Sequence, residues 1–245
     1  MNFDFSDEQQ QLRDQARRFL TERCPPRAVR EVLEGRAPYD RELWKGFADM
    51  GFLGVAIPEA FGGAGAGQLE LCVLAEEVGR VLAPLPFSST VYLAAEALKL
   101  AGSEAQQQKW LPLIAAGEAI GTLALFEGRG QPSPQAIRAM VQDGVLSGVK
   151  RPVPDGAIAD FAIVVARSGH SGREQDIGLF LVDLSGDGVT IKSLQSIDPS
   201  RGQAEIRFES TKAEPLGAPG EGWSLVTQLL DRAAVLIAFE QIGGA

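Results

Sequence analysis

The sequence is poor in the residues that most often carry nucleophilic catalysis or hold metals. It has one histidine and two cysteines in 245 residues. His170 lies in the polar stretch 168–175, so it is predicted to be a solvated loop residue rather than a base or a ligand. Cys24 and Cys72 have no CxxC spacing and suit a reducing compartment. Histidine-based triads and histidine metal sites are therefore unsupported, and no metal site is predicted.

Sequence motifs for nucleotide loops and hydrolases are also absent. The glycine-rich segment FGGAGAG, residues 61–67, has no register that gives GxGxxG and no βαβ unit around it. It is predicted to be a flexible connection between helices. No GxxxxGK occurs, which excludes a P-loop. Ser171 in GHSG lacks the second glycine of a nucleophile elbow, so serine-hydrolase chemistry is not supported.

Charge and hydropathy restrict the partners further. The 23 basic and 32 acidic residues leave a net charge of -9, which would repel a nucleic acid or an anionic membrane. The N-terminus MNFDFSDEQQ lacks the apolar stretch of a signal peptide, and no uncharged apolar run approaches the ~18 residues of a membrane span. With 45% hydrophobic and 22% charged residues, a soluble globular protein of the cytoplasm is expected.

The first part of the chain has the apolar periodicity of helices. Ser6 and Gln9 form a predicted capping box, and Cys24 with the two prolines after it ends the first helix. Ser103 and Gln106 predict a second capping box, at the start of the last of five helices. The others are recognised by apolar spacings of three or four residues, centred on residues 43–50, 71–82 and 91–98.

From Gly121 onward the pattern changes to short apolar runs bounded by Gly, Asp and Pro. Asp143-Gly144 predicts a hairpin, and alternation at residues 204–208 predicts a strand with one buried face. The period becomes helical again past Gly217. Apolar residues in 225–242 cover more than one face, so a helix buried on two sides is predicted.

These patterns predict an α+β fold with three parts. An N-terminal all-α bundle is expected at residues 1–119, and a compact antiparallel β-barrel-like domain at 120–217. The first helix of a C-terminal helical bundle is expected at 218–245.

Two segments carry a family resemblance. GFLGVAIPEAFGGAG, residues 51–65, resembles the pattern GxxGxxxPxxxGGxG of the acyl-CoA dehydrogenases, and LPLIAAGEAIG, residues 111–121, resembles their LPxxxxGExxG. The order of helices, β domain and further helix is also similar to that family. The resemblance implies FAD as cofactor, an acyl-CoA substrate and electron-transfer flavoprotein as acceptor. It also implies a homo- or hetero-oligomer that acts as an oxidoreductase in fatty acid or lipid catabolism, forming a 2-enoyl-CoA.

The resemblance assigns the cofactor edge residue by residue. ALFE, residues 124–127, resembles the flavin-contacting ALTE strand, and GVKRPVP, residues 148–154, resembles GxKxWIT. Leu125, Glu127 and Val153 match and are the predicted cofactor-binding residues. Phe126, Pro152 and Pro154 replace side chains that the family uses around the flavin, so weak or absent FAD binding by this chain alone is expected.

No residue matches the family's catalytic glutamate, because that residue belongs to the bundle of which only the first helix is expected here. The acids present, including Glu76, Glu77, Glu127 and Glu240, are predicted to serve solvation or packing. The leading interpretation is therefore a C-terminally incomplete acyl-CoA dehydrogenase. The alternatives are a non-catalytic subunit of a mixed oligomer, or an acyl- or CoA-binding module without flavin.

Overall fold

The computed structural model describes residues 5–245. Residues 1–4, which belong to the N-terminus used above against a signal peptide, lie outside the described residues. A π-helix at Ser88–Ala95 continues directly into α5. The α-helices are α1 Asp7–Arg23, α2 Pro26–Leu33, α3 Arg41–Asp49, α4 Gln68–Arg80, α5 Glu96–Ala101, α6 Glu104–Ala115 and α7 Gly222–Gly244.

Local sequence explains where several helices begin. Both predicted capping boxes are confirmed, since Ser6 and Ser103 exchange hydrogen bonds with the residues three positions later. α2 was not predicted, because its prolines were interpreted only as the end of α1. Pro26 occupies the first turn of α2, where a missing backbone N–H costs nothing. The π-helix was also not predicted, since apolar spacing does not distinguish it from an ordinary helix.

The middle of the chain forms one sheet of eight strands: β1 Gly121–Ala124, β2 Met140–Gln142, β3 Val145–Pro154, β4 Phe161–Arg167, β5 Ile177–Asp183, β6 Val189–Leu194, β7 Gln203–Lys212 and β8 Glu214–Leu216. Their order is β6-β7-β3-β2-β4-β5-β8, with β1 paired to β4. The prediction of an antiparallel domain is correct for most neighbours but not all. β1 and β2 both run parallel to β4, because the chain crosses over between them instead of turning back directly.

α7 packs against both the helices and the sheet. Its buried side chains include Leu229, which joins a cluster with β4 and β5, and Leu236, which joins the core of the N-terminal helices. Val235, Ile237 and Ile242 on the same helix are exposed. The apolar surface of α7 therefore extends beyond the face that the rest of the chain covers.

α7 also has the length and mean hydropathy of a membrane-crossing helix, which the sequence analysis did not anticipate. The helix at residues 222–244 is long and apolar enough to cross a membrane although it contains Asp231, Arg232 and Glu240. Core helices of globular proteins have the same length and hydropathy. In the described structure, 28% of the apolar 18-residue stretch of this helix is buried inside the protein.

A buried carboxylate joins α1 to α4. Glu77 has no exposed side-chain surface, and its oxygens accept bonds from Arg17 at 2.6 Å and Arg80 at 2.9 Å. Burial alone would raise the pKa of Glu77, but the bonds from the two guanidinium groups outweigh it and hold the pKa below its ordinary value. The charged form is therefore the one that the fold stabilises.

The ion pairs of Glu77 predict a loss of stability in acid. Because its folded pKa lies below the unfolded value, the contribution is complete above the unfolded pKa and is lost as the pH falls through the folded pKa. The free energy of unfolding, measured with urea, should fall more steeply with decreasing pH below about pH 4.5 for wild type than for Glu77→Gln. The exposed control Glu34→Gln should keep the wild-type slope. Equal slopes for wild type and Glu77→Gln would contradict this assignment.

Candidate functional site

The residues that resemble the flavin-contacting strands meet at one edge of the sheet. The chain leaves β1 through Leu125 and Phe126, and this extension lies beside β3. The amide of Arg151 donates to the carbonyl of Phe126 at 2.7 Å, and the amide of Gly128 donates to the carbonyl of Arg151 at 2.8 Å. Two separate sequence segments are thereby joined into one surface, which we call the cofactor edge: residues 125–128 and 150–154.

One residue of the cofactor edge is a fully buried lysine, Lys150. The Lys150 Nζ lies 2.6 Å from Glu127 Oε1 and donates to the carbonyl of Leu125 at 3.2 Å. The Glu127 carboxylate also accepts from the amides of Arg138 at 2.8 Å and Ala139 at 3.0 Å. Burial lowers the pKa of Lys150 to about 8, against the opposing effect of the Glu127 charge.

A loop of ten residues, 128–137, projects from this pair. It forms much of the wall of a cavity of about 180 Å³, together with Leu125–Glu127 and Arg138. Arg129 and Arg138 are among the residues that line this cavity, and neither forms an ion pair with any residue that the structure describes. Two guanidinium groups beside a backbone loop suit an anionic group such as a diphosphate.

Gly148 is required by the packing of β3 near this edge. Its φ is +151°, and a Cβ at this position would lie 2.6 Å from the Cβ of Ala139. Ala139 is the residue whose amide binds Glu127. The glycine therefore allows β3 to approach the segment that closes the loop.

The three predicted cofactor-binding side chains face the interior. Leu125 and Val153 lie in hydrophobic clusters, and Glu127 is engaged by Lys150 and two amides. The structure thus brings the three residues together at the cofactor edge, where their side chains pack on its inward side. Direct contact between any of them and a flavin remains a prediction.

The outward surface of the cofactor edge differs from the resembled pattern. Phe126 is exposed and presents an aromatic ring in place of a hydroxyl. Pro152 and Pro154 have no N–H to donate, and the β3–β7 register shifts between Lys150 and Val153. An apolar ring, exposed backbone and two arginines fit a flat aromatic cofactor with an anionic tail. The edge offers such a group fewer hydrogen bonds than the resembled pattern would.

Four acids were predicted to serve packing or solvation, and the structure places each of them in an ion pair. Glu76 binds Arg13, Glu77 binds Arg17 and Arg80, Glu127 binds Lys150, and Glu240 binds Arg201. A carboxylate neutralised in this way is poorly suited to act as a general base. The described residues therefore supply no evident catalytic base at the cofactor edge.

A second polar cluster lies between the π-helix and the C-terminal end of α7, and no motif in the sequence predicts it. Arg201 binds both Glu240 and Ser88, while Ser89 donates to Asp155 at 2.6 Å. Burial raises the pKa values of Asp155 and Glu240, partly offset by bonds from Ser89 and by the charge of Arg201. These groups come from four separate segments, so only the fold brings them together.

Comparisons with known proteins agree on one family. Residues 6–118 match the family model described as "Acyl-CoA dehydrogenase, N-terminal domain". The mitochondrial isovaleryl-CoA dehydrogenase of Pongo abelii is 30% identical over 252 residues, covering 97% of this chain and 59% of the relative. The chain thus spans about three fifths of the length of curated relatives that it matches.

Solved structures match with the same coverage. Butyryl-CoA dehydrogenase from Megasphaera elsdenii aligns with a TM-score of 0.89 at 25% identity, over 99% of this chain and 67% of that one. The Tcur3481-Tcur3483 steroid ACAD aligns with a TM-score of 0.83 at 31% identity, over 97% of this chain and 63% of that one. Helices, sheet and α7 are all included in these alignments.

Proposed function

Because the chain belongs to the acyl-CoA dehydrogenase family, we propose that it forms part of an FAD-dependent enzyme that desaturates an acyl-CoA thioester. The single observation that carries this proposal is the cofactor edge, where the two segments with flavin-strand resemblance pair through their backbones. The residues of this edge would hold the FAD, whose chemistry would be to take up the hydride that leaves the β carbon of the acyl chain.

The residues of this chain would bind and orient the cofactor rather than perform the proton transfer. The exposed Phe126 would border the cofactor without offering it a hydrogen bond, and Arg129 and Arg138 would hold the anionic tail. The ion pair of Lys150 and Glu127 would maintain the conformation of the cofactor edge. Leu125 and Val153 would pack behind it and exclude water.

The catalytic base is proposed to come from residues outside the 245 described by this sequence, in the same polypeptide or in another one. Two observations support this. The acids Glu76, Glu77, Glu127 and Glu240 are held in ion pairs. The chain also spans only about three fifths of the length of its curated relatives. We propose the three parts 1–119, 120–217 and 218–245, consistent with the breaks between α6 and β1 and between β8 and α7.

The family supports an acyl-CoA as substrate, electron-transfer flavoprotein as acceptor and a role in fatty acid or lipid catabolism. The cytoplasm is proposed as location on separate grounds, the composition and the two cysteines without CxxC spacing. We propose that α7 packs against protein rather than lipid, in a homo- or hetero-oligomer, which its exposed apolar residues support.

A second function, that of a non-catalytic subunit in a mixed oligomer, is favoured by the chemistry of the cofactor edge. Phe126, Pro152 and Pro154 all remove hydrogen-bonding groups from it. The two functions differ in FAD content. Stoichiometric FAD retained by this chain through gel filtration would favour the enzyme and contradict the expectation of weak binding, which rests on those side chains.

Restoring a hydroxyl at the cofactor edge should strengthen FAD binding. Phe126→Thr is expected to lower the Kd of FAD roughly 2- to 10-fold, the value of one added hydrogen bond. Flavin fluorescence titration measures this. The control Val145→Thr changes an exposed apolar residue at the opposite end of β3 and should leave the Kd unchanged. Equal Kd values for the two variants would remove Phe126 from the proposed site.

A further inference from the structure

Lys150 is the only lysine in the described chain with no exposed surface. Its Nζ lies 2.6 Å from Oε1 of Glu127, whose side chain is only 9% exposed. Placing two charges in a dry interior is costly, and replacing such a pair with apolar residues is often neutral or stabilising. A gain in net stability is therefore a weak explanation for the presence of this ion pair. Its role in positioning neighbouring segments of the chain is a better explanation.

The pair fastens the two ends of one loop. Glu127 precedes loop 128–137, and its carboxylate accepts from the amides of Arg138 and Ala139, eleven and twelve residues further along. Charge-assisted bonds of this kind are stronger than neutral ones. Lys150 neutralises the same carboxylate and also binds the carbonyl of Leu125, in the segment that connects β1 to the loop. Three chain segments are thus held at one point.

The far side of the loop is held independently. Arg167 at the end of β4 donates from Nε to the carbonyl of Ile137 at 2.8 Å and also bonds the carbonyl of Pro134. Within the described chain, no hydrogen bond of that kind reaches residues 129–132, which form part of the wall of the cavity of about 180 Å³. The shape of this wall therefore depends on the fastening at its base.

We propose that Lys150 is a positioning residue that holds loop 128–137 closed through Glu127, so that the FAD-binding edge is formed before the cofactor arrives. This inference rests on the proposed function for the identity of the cofactor. The closure of the loop, however, is a property of the chain alone. Preorganisation of this kind lowers the cost of binding, since the loop need not be ordered by the ligand.

Hydrogen–deuterium exchange without FAD tests the closure directly. Lys150→Met should increase exchange about tenfold or more at the amides of Arg138 and Ala139, which donate to Glu127, while β4 keeps wild-type protection. Lys212→Met removes an exposed lysine from the same sheet and should change neither region. Glu127→Gln retains one acceptor for the two amides, so it should produce a smaller increase in the same segment. This second variant provides the test if Lys150→Met fails to fold by circular dichroism.

FAD titration of the same variants tests the positioning role. The Kd should rise about tenfold in Lys150→Met, with loss of any perturbation of the flavin absorption bands, and should not change in Lys212→Met. Unchanged exchange, or increased exchange with an unchanged Kd, overturns the inference. If the wild-type chain does not bind FAD while the exchange effect is present, the proposed cofactor is contradicted and loop closure alone is supported.

Discussion

Gly79→Ala should lower the free energy of unfolding by roughly 1–3 kcal/mol, although alanine is the better helix former by about 1 kcal/mol. The reason is the close crossing of α4 and α7. A Cβ at Gly79 would lie 1.8 Å from the carbonyl oxygen of Glu240, which is backbone and cannot rotate away. The two helices would have to separate, and the buried residues of α7 would lose contacts along the crossing.

Gly244→Ala provides the matched control on α7. A Cβ there would meet its nearest neighbours at 3.6 and 3.9 Å, which is ordinary van der Waals contact. Urea unfolding of the two variants should therefore give very different midpoints, with Gly244→Ala close to wild type. Equal midpoints would show that α4 and α7 do not cross as described. Gly243→Ala should resemble Gly79→Ala, because its Cβ would lie 1.8 Å from the carbonyl oxygen of Glu76.

Ile237→Glu should shift the chain toward monomer and raise the dissociation constant of self-association at least about tenfold. Ile237 is exposed on α7 and lines a groove with Leu33 and Leu82, which are also exposed. Covering a residue of this size gains about 1.5–3 kcal/mol, and a glutamate in its place would bury a charge instead. Sedimentation equilibrium at tens of micromolar measures the monomer fraction.

The association test needs a control variant on α7 that adds the same charge without removing an exposed apolar side chain. Gln241→Glu adds the same charge at an exposed polar position on α7 and should have a smaller effect. Leu229→Glu, a natural choice from the sequence, does not serve, because Leu229 is only 1% exposed and the change would disrupt the core. A wild-type chain that is wholly monomeric at these concentrations would contradict association through α7.

The fold follows largely from local sequence signals. The boxes at Ser6 and Ser103 mark helix starts, and Asp143-Gly144 marks the hairpin between β2 and β3. The parallel pairing of β1 with β4 could not be predicted in this way. Pairing partners distant in sequence are chosen by the packing of the whole sheet, and no local pattern at Gly121 specifies them.

The candidate site was predictable only in part. The resemblance pointed to residues 124–127 and 148–154, which the structure places side by side, but it did not reveal that Leu125 and Val153 are buried. The bonds of Glu127 to amides beyond loop 128–137 join residues eleven or more apart, so they depend on how the loop folds back. A buried lysine has no signature in sequence, because the same residue type is usually exposed.

Equilibrium dialysis of the wild-type chain against FAD tests the central claim most directly. The side chains of the cofactor edge predict weak or absent binding, but the proposed function requires a bound flavin. We therefore expect weak, saturable binding of one FAD per chain, with a Kd weaker than about 1 μM because the edge lacks the hydroxyl and two backbone donors. Competition with unlabelled FAD should abolish the retained signal. Absence of saturable binding at FAD concentrations up to about 1 mM would contradict the proposal that this edge holds a flavin.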